Sequence, residues 1–135
     1  MQEKMDRFIV ERQHLIERVH FKGEVQDICR IYHSADALVS VSFYEGLPNV
    51  ICEAMMCGTL VLASNIGDHT KILGSSGERG FCVSPESPED ICRGLETILK
   101  LGKNDKKQLL VNARQFAIRN FDIQQIGKKF LNLFD

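Results

Sequence analysis

The segment "LVLAS" at residues 60–64 constrains the fold most, because so short and almost wholly apolar a run is typical of a strand covered on both faces. The preceding segment, "PNVICEAMMC", predicts a helix over 48–57 that begins at a proline and ends just before Gly58. Similar strand and helix patterns alternate on either side, at 27–35, 37–42, 67–73, 80–84 and 87–100. This alternation predicts the α/β class, with a Rossmann-like parallel sheet flanked by helices.

The two ends of the chain complete the predicted organisation. Residues 4–18 have helical spacing of apolar side chains, and "RVHF" at 18–21 is a strand candidate closed by Gly23. Two further helices are predicted over 104–119 and 122–134. Because no repeat or long linker divides the sequence, we interpret residues 1–135 as a single domain.

Composition excludes several classes of function. The net charge is -1, which argues against a nucleic-acid partner or an anionic membrane surface as a target. No apolar run approaches the roughly 20 residues of a membrane span, and the charged N-terminus lacks the apolar core of a signal peptide. These features favour a cytoplasmic protein.

Five cysteines lie inside apolar segments, at positions 29, 52, 57, 82 and 92. The number is odd and no pair has the C-x-x-C spacing, so we expect buried free thiols in a reducing compartment. Cys52 and Cys57 fit no common zinc pattern, and no metal site is predicted.

Two carboxylates, Glu45 and Glu53, flank a turn-like segment that leads from a strand into a helix. In parallel α/β folds ligands bind outside the carboxyl ends of the strands, where Glu45 is expected, while Glu53 should lie about 7.5 Å along the helix. Backbone N–H groups near Gly46, Leu47 and Asn49 should point outward and form an anion site at the helix N-terminus. The order acid, anion site, acid suits a ligand with a polyol, a phosphate and a second polyol, as in a nucleotide sugar.

A plainer interpretation stands beside this one, in which Glu45 is a solvated loop acid and Glu53 lies on a wet helix face. The residues around Glu53 are almost all apolar, so we expect its helix to be buried nearly all round. An ionised acid in such a place needs a partner or a ligand.

The stretch "SFYEGLPNVICEAMMCGTLVLAS" resembles the donor-binding signature of family 4 retaining glycosyltransferases, which have the GT-B fold. "IYHSADALVSVS" and "GERGFCVSPESPEDICRGLETIL" continue the resemblance, which covers the chain from about residue 4. It implies transfer of a sugar, with retention of configuration, from a UDP or GDP type nucleotide diphosphate sugar, without a metal or other cofactor. The acceptor would be a sugar or a lipid-linked glycan in polysaccharide, lipopolysaccharide or glycoconjugate synthesis.

The resemblance also implies roles for individual residues. Glu45 would be the catalytic residue beside the reacting end of the donor sugar, and Glu53 would bind the ribose hydroxyls. The remaining donor-binding positions are Gly46, Leu47 and Asn49 near the diphosphate or sugar, and Gly23, Val25 and Asp27 near the base. The sequence departs from the family pattern at "IGDHTKI", where Lys71 replaces a frequent glutamate and His69 is expected to be a solvated loop residue.

The family's first strands and its acceptor-binding N-terminal domain have no counterpart in this sequence. The isolated chain is therefore expected to be inactive. The resemblance also implies that the complete enzyme is a cytoplasmic protein, peripheral at the inner membrane. The gap that the missing strands would leave has three possible explanations: direct pairing of 18–21 with 37–42 in a four-stranded sheet, completion by a second copy or a complementing chain, or a truncated gene product that folds only marginally. The alternative function is a non-catalytic nucleotide-sugar-binding or partner subunit that completes a split enzyme.

Overall fold

The computed structural model describes residues 17–46, 48–75, 77–124 and 127. Helices and strands alternate along this part of the chain, as the apolar patterns predict. In chain order the elements are α1 (Ile28–Ser34), β1 (Ala37–Ser40), α2 (Asn49–Cys57), β2 (Leu60–Ser64), α3 (His69–Leu73), β3 (Phe81–Val83), α4 (Pro88–Leu99) and α5 (Lys103–Phe121).

The strands form one parallel sheet in the order β1-β2-β3. Ala37 pairs with Leu60 at one end of the first ladder, and Leu62 pairs with Phe81 in the second. Because parallel neighbours place their carboxyl ends at the same edge, the loops after β1 and β2 emerge side by side. The Rossmann-like α/β class predicted from the sequence is confirmed.

The central strand β2 is buried along its whole length and divides the core in two. Leu60 and Leu62 point to one face and Val61 and Ala63 to the other, as the two-residue period of a strand requires. The first face packs against residues of β3, α4 and the start of α5: Phe81, Val83, Ile98 and Leu109. The second packs against residues of α1, α2, α3 and α5: Tyr32, Ile51, Met55, Leu73 and Ala113. Both faces are covered, which explains the apolar sequence of β2.

Local signals set the ends of the helices. Gly58 ends α2 in the left-handed region at φ 76°, where a residue without a Cβ is favoured. Ser87 caps α4, because its hydroxyl accepts the Asp90 N–H at 3.1 Å. Gly94 lets α4 approach the sheet, since a methyl group there would lie 2.7 Å from side-chain carbons of Leu62 and Val83.

The predicted strand at 18–21 is wrong. These residues have neither helical nor strand geometry, and Val19 and Phe21 are 37% and 48% exposed. A strand needs a hydrogen-bonding neighbour, and within the described residues β1 pairs only with β2. Direct pairing of 18–21 with β1 is therefore not how this sheet is closed.

The expectation of buried cysteines is correct only for Cys52. Cys29 and Cys92 are exposed, while Cys57 and Cys82 are half-buried. An apolar neighbourhood in the sequence does not decide which side of a helix a thiol occupies, because successive residues point about 100° apart. All five are free thiols, as predicted.

Two predicted helices fall mainly on residues outside the described ranges. These are the helix over 4–18, apart from residues 17–18, and the helix over 122–134, apart from 122–124 and 127. Among the helices that the structure describes, none has the length and apolar character needed to cross a membrane.

Candidate functional site

Glu45 lies on the loop that follows β1, at the carboxyl edge of the sheet, and its side chain is exposed. The Ser42 hydroxyl donates a hydrogen bond to Glu45 Oε1 at 3.0 Å. The Ser42 backbone N–H in turn donates to Ser64 Oγ at the end of β2, at 3.1 Å. The start of the Glu45 loop is therefore fastened to the central strand, as a site on a rigid scaffold requires.

The loop after β2 lies directly against the Glu45 loop. A methyl group at Gly67 would sit 3.8 Å from the Glu45 carbonyl oxygen, and Gly67 has φ 48°. One residue further, Asp68 accepts a 2.8 Å hydrogen bond from Lys71, and this exposed pair lowers the pKa of Asp68 and raises that of Lys71. Lys71, which departs from the family pattern, is thus paired with the residue that precedes its own helix, α3.

Glu53 occupies an exposed face of α2, so the expectation of a helix buried nearly all round is wrong. The buried residues Ile51, Cys52, Ala54 and Met55 turn toward the sheet, and Glu53 turns away from it. Its Oε2 accepts a 3.3 Å hydrogen bond from the hydroxyl of Tyr32, which is 5% exposed. Burial and then the nearby Glu53 carboxylate raise the pKa of Tyr32, so the phenol keeps its proton and remains a donor.

The first turn of α2 lies between the two acids. Pro48 is buried and forms the N-cap rather than the first helical residue, and its carbonyl accepts the amides of Ile51 and Cys52 at 3.1 and 3.2 Å. Asn49 and Val50 precede these bonded amides and are exposed. The amides of Asn49 and Val50 therefore precede the first bonded turn of α2, and a methyl group at the exposed Gly46 would have no contact within 4 Å beyond its chain neighbours. Leu47 lies outside the described residues.

The predicted base-binding positions lie on the segment that leads into α1. Gly23 is exposed in the left-handed region at φ 62°, and Val25 is half-buried. Asp27 caps α1 by accepting the Arg30 N–H at 3.1 Å, a role that the sequence interpretation did not assign. No hydrogen bond joins these three residues to Glu45 or Glu53 in the described part of the chain.

His69 is buried, at 1% exposure, so the expectation of a solvated loop residue is wrong. Its Nδ1 donates to the Ser64 carbonyl oxygen at 2.8 Å, because a carbonyl can only accept. Its Nε2 has no hydrogen-bond partner among the described residues. Sequence reasoning missed this side chain, although the apolar Ile72 and Leu73 on the same short helix hinted at a buried element. His69 thus supports β2 at the point where Ser64 also holds the Glu45 loop.

We expect the His69→Ala substitution to lower the free energy of unfolding by about 2–3 kcal/mol, because it leaves a cavity and an unpaired Ser64 carbonyl. His69→Asn should recover part of this loss, since the Asn amide can donate near the position of Nδ1. Urea unfolding followed by circular dichroism measures both. His33→Ala is the control, because His33 is exposed and its Nδ1 contacts only its own helix, at the Cys29 carbonyl. Equal effects of the two alanine substitutions would show that His69 does not support the strand.

Across the described ranges, no three His, Cys, Asp or Glu side chains are grouped so that they could hold a metal ion.

The protein is thus of the parallel α/β class, and its acid Glu45 and the start of α2 follow a strand at the carboxyl edge of the sheet, where ligands bind in folds of this class. Residues 2–101 match the family model described as glycosyl transferases group 1. The chain therefore belongs to this family.

One curated protein and one solved structure are similar to this chain in sequence. An alpha-1,4-N-acetyl-D-galactosaminyltransferase of Campylobacter jejuni, whose name gives a PP-undecaprenol-linked glycan, is 29% identical over 116 residues, or 86% of this chain and 32% of the relative. The Anabaena protein HepE, solved in complex with UDP and glucose, superposes with a TM-score of 0.87 at 26% identity, over 98% of this chain and 35% of that chain.

A third comparison concerns the fold alone. The C-terminal domain of a glycosyl transferase group 1 family protein from Francisella tularensis superposes with a TM-score of 0.74 at 21% identity, over 91% of this chain and 63% of that domain. The observed fold is thus that of GT-B glycosyltransferases, as the resemblance implied. The chain spans 26–32% of the length of the first three curated relatives that it matches.

Proposed function

We propose that this chain is the donor-binding part of a family 4 retaining glycosyltransferase and binds a nucleotide diphosphate sugar at the carboxyl edge of its sheet. The observation that carries the proposal is the placement of Glu45, the N-terminus of α2 and Glu53 in one continuous strand–loop–helix segment with both acids exposed. The structure of a relative with UDP and glucose bound supports the ligand class.

Each part of the segment suits one part of such a donor. The exposed amides at the start of α2 and the helix dipole favour the negatively charged diphosphate. Glu53, held by Tyr32, offers its other oxygen to the two ribose hydroxyls. Glu45, held by Ser42, lies on the loop where the sugar would enter, and there its charge would stabilise positive charge that develops at the reacting carbon.

The other donor-binding residues have the roles that the resemblance implies. Gly46, Leu47 and Asn49 would lie at the diphosphate or sugar. Gly23, Val25 and Asp27 would lie near the base. The residues near the base would therefore decide whether the donor carries UDP or GDP. The acceptor would bind to a further domain, in a cytoplasmic enzyme of glycoconjugate synthesis. A lipid-linked acceptor accords with the relative that is named for a PP-undecaprenol glycan.

Titration of the chain with UDP, GDP and ADP sugars, followed by amide NMR correlation spectra, tests donor binding. We expect one nucleotide to shift the amides of Gly23, Gly46, Asn49 and Glu53, because these positions surround the proposed ligand. Amides of α4, on the opposite side of the sheet from α2, provide the internal control. Shifts that are absent with all three nucleotides, in a spectrum with dispersed peaks, would overturn donor binding by this chain.

A second candidate is a nucleotide-sugar-binding subunit that lacks catalysis and completes a separately encoded partner. The unpaired outer edge of β1 in the described sheet favours it, because an open edge can accept strands from another chain. Both candidates bind the donor and they differ in whether Glu45 of this chain takes part in transfer, so the transfer rate of Glu45→Gln in the completed enzyme distinguishes them.

A further inference from the structure

Two thiols from different helices face each other between α1 and α2. Cys29 is the second residue of α1 and Cys57 is the last residue of α2, and their sulfur atoms are 3.5 Å apart. Both are free; Cys29 is exposed and Cys57 is half-buried. A disulfide bond measures about 2.05 Å between its sulfurs, so the two atoms need to approach by only about 1.5 Å.

We propose that Cys29 and Cys57 form a modification site at which a small-molecule disulfide, such as glutathione disulfide, oxidises the pair to a reversible intramolecular disulfide. The inference does not depend on the proposed donor site. The inference applies to these two thiols and not to Cys92, which is also exposed but lies on α4 and makes no sulfur–sulfur contact among the described residues.

The reaction is thiol–disulfide exchange in two steps. The Cys29 thiolate attacks one sulfur of the oxidant, breaks its S–S bond and releases one small thiolate, which takes up a proton. The Cys57 sulfur then attacks the Cys29 sulfur of the mixed disulfide and expels the second small thiolate, which is also protonated. The two cysteines lose two protons and two electrons, and the oxidant is reduced to two thiols.

The surroundings favour this order of attack. Cys29 is accessible to a dissolved oxidant, whereas burial raises the pKa of the Cys57 thiol and the neighbouring Cys29 raises it further. Glu53 adds to the increase, and Arg114 of α5 opposes it. Cys57 therefore suits the second, intramolecular step. Its raised pKa lowers the fraction of thiolate, but the short distance to Cys29 compensates for this.

The cross-link would join α1 and α2 beside an existing contact. Tyr32 follows Cys29 by one turn of α1, and Glu53 precedes Cys57 by one turn of α2, so both pairs lie on the facing sides of the helices. Thr59 Oγ1 also donates to the Tyr32 carbonyl at 2.7 Å, which anchors the last turn of α1 to the residue after Gly58. A disulfide that connects helices already in contact should close without rearranging them.

The test is oxidation of the full chain with glutathione disulfide, followed by alkylation, digestion and mass spectrometry. We expect a cross-linked peptide pair that contains Cys29 and Cys57, and we expect dithiothreitol to reverse it. The oxidised chain should melt roughly 5–15 °C higher than the reduced chain, because the closed loop restricts the unfolded state.

Three serine variants complete the test. Cys29→Ser and Cys57→Ser should each abolish the cross-link and the rise in Tm, whereas Cys92→Ser should leave both unchanged. Since Cys29 is exposed, Cys29→Ser carries the test if Cys57→Ser fails to fold. Glutathione adducts on Cys29 without closure, or a cross-link between a different pair, would overturn the proposal.

Discussion

Replacing Glu53 by alanine should weaken nucleotide binding by roughly 10- to 100-fold, which corresponds to a loss of about 1.4–2.8 kcal/mol. A carboxylate that accepts two ribose hydroxyls makes charge-assisted hydrogen bonds, and alanine leaves those hydroxyls without an acceptor. Glu53 is suited to this role because Tyr32 binds one of its oxygens and fixes the side chain on an exposed face of α2. Isothermal titration calorimetry with the nucleotide identified by NMR measures the change.

Glu96→Ala is the matched control for Glu53→Ala. Glu96 is also an exposed helical glutamate with one partner, since its carboxylate pairs with Lys100 at 2.9 Å, but it lies on α4. Such surface ion pairs contribute little to stability, and we expect nucleotide affinity to stay within twofold, about 0.4 kcal/mol. Equal affinity of the wild-type chain and Glu53→Ala would remove Glu53 from the site.

Replacing Glu45 by glutamine should reduce sugar transfer by roughly 10²- to 10³-fold in an enzyme that is completed with an acceptor-binding domain. Glutamine keeps the shape of the side chain and can still accept the Ser42 hydroxyl, so the loop should keep its conformation. What it removes is the negative charge beside the reacting carbon. Rates of nucleotide release at saturating donor measure the effect on kcat.

Nucleotide affinity should be nearly unchanged in Glu45→Gln, in contrast to Glu53→Ala, because the two acids would contact different parts of the donor. Glu96→Gln provides the control, since Glu96 is an exposed acid near the end of α4, which packs on the opposite face of the sheet from α2. A parallel loss of nucleotide binding and transfer would assign Glu45 to donor binding, and an unchanged kcat would exclude it from catalysis.

The elements around the candidate site could be predicted because their signals are local. The apolar run of β2 and the glycine after α2 predict a buried strand and a helix end without knowledge of the remaining fold. Ser87 predicts the start of α4 in the same way. Such patterns depend on backbone geometry within one or two turns, which the sequence carries directly.

The errors concern features that depend on distant neighbours. The segment 18–21 has the composition of a strand, but a strand forms only beside another strand. Glu53 lies among apolar residues, yet the direction of its side chain follows from which face of α2 meets the sheet. His69 is polar and lies next to a turn, but packing buries it against the Ser64 carbonyl. Tertiary contacts decided each of these outcomes.

The strand order β1-β2-β3 has a consequence for synthesis of the chain. In the described sheet β2 pairs with β1 and β3 pairs with β2, and each of these two connections contains a single helix. Contacts over short sequence separations cost little loop-closure entropy and form quickly. As the ribosome releases the chain, β2 can therefore dock on a β1 that has already emerged, and β3 can dock on β2. The sheet can grow in the direction of translation, and none of its described pairings has to wait for a segment beyond β3.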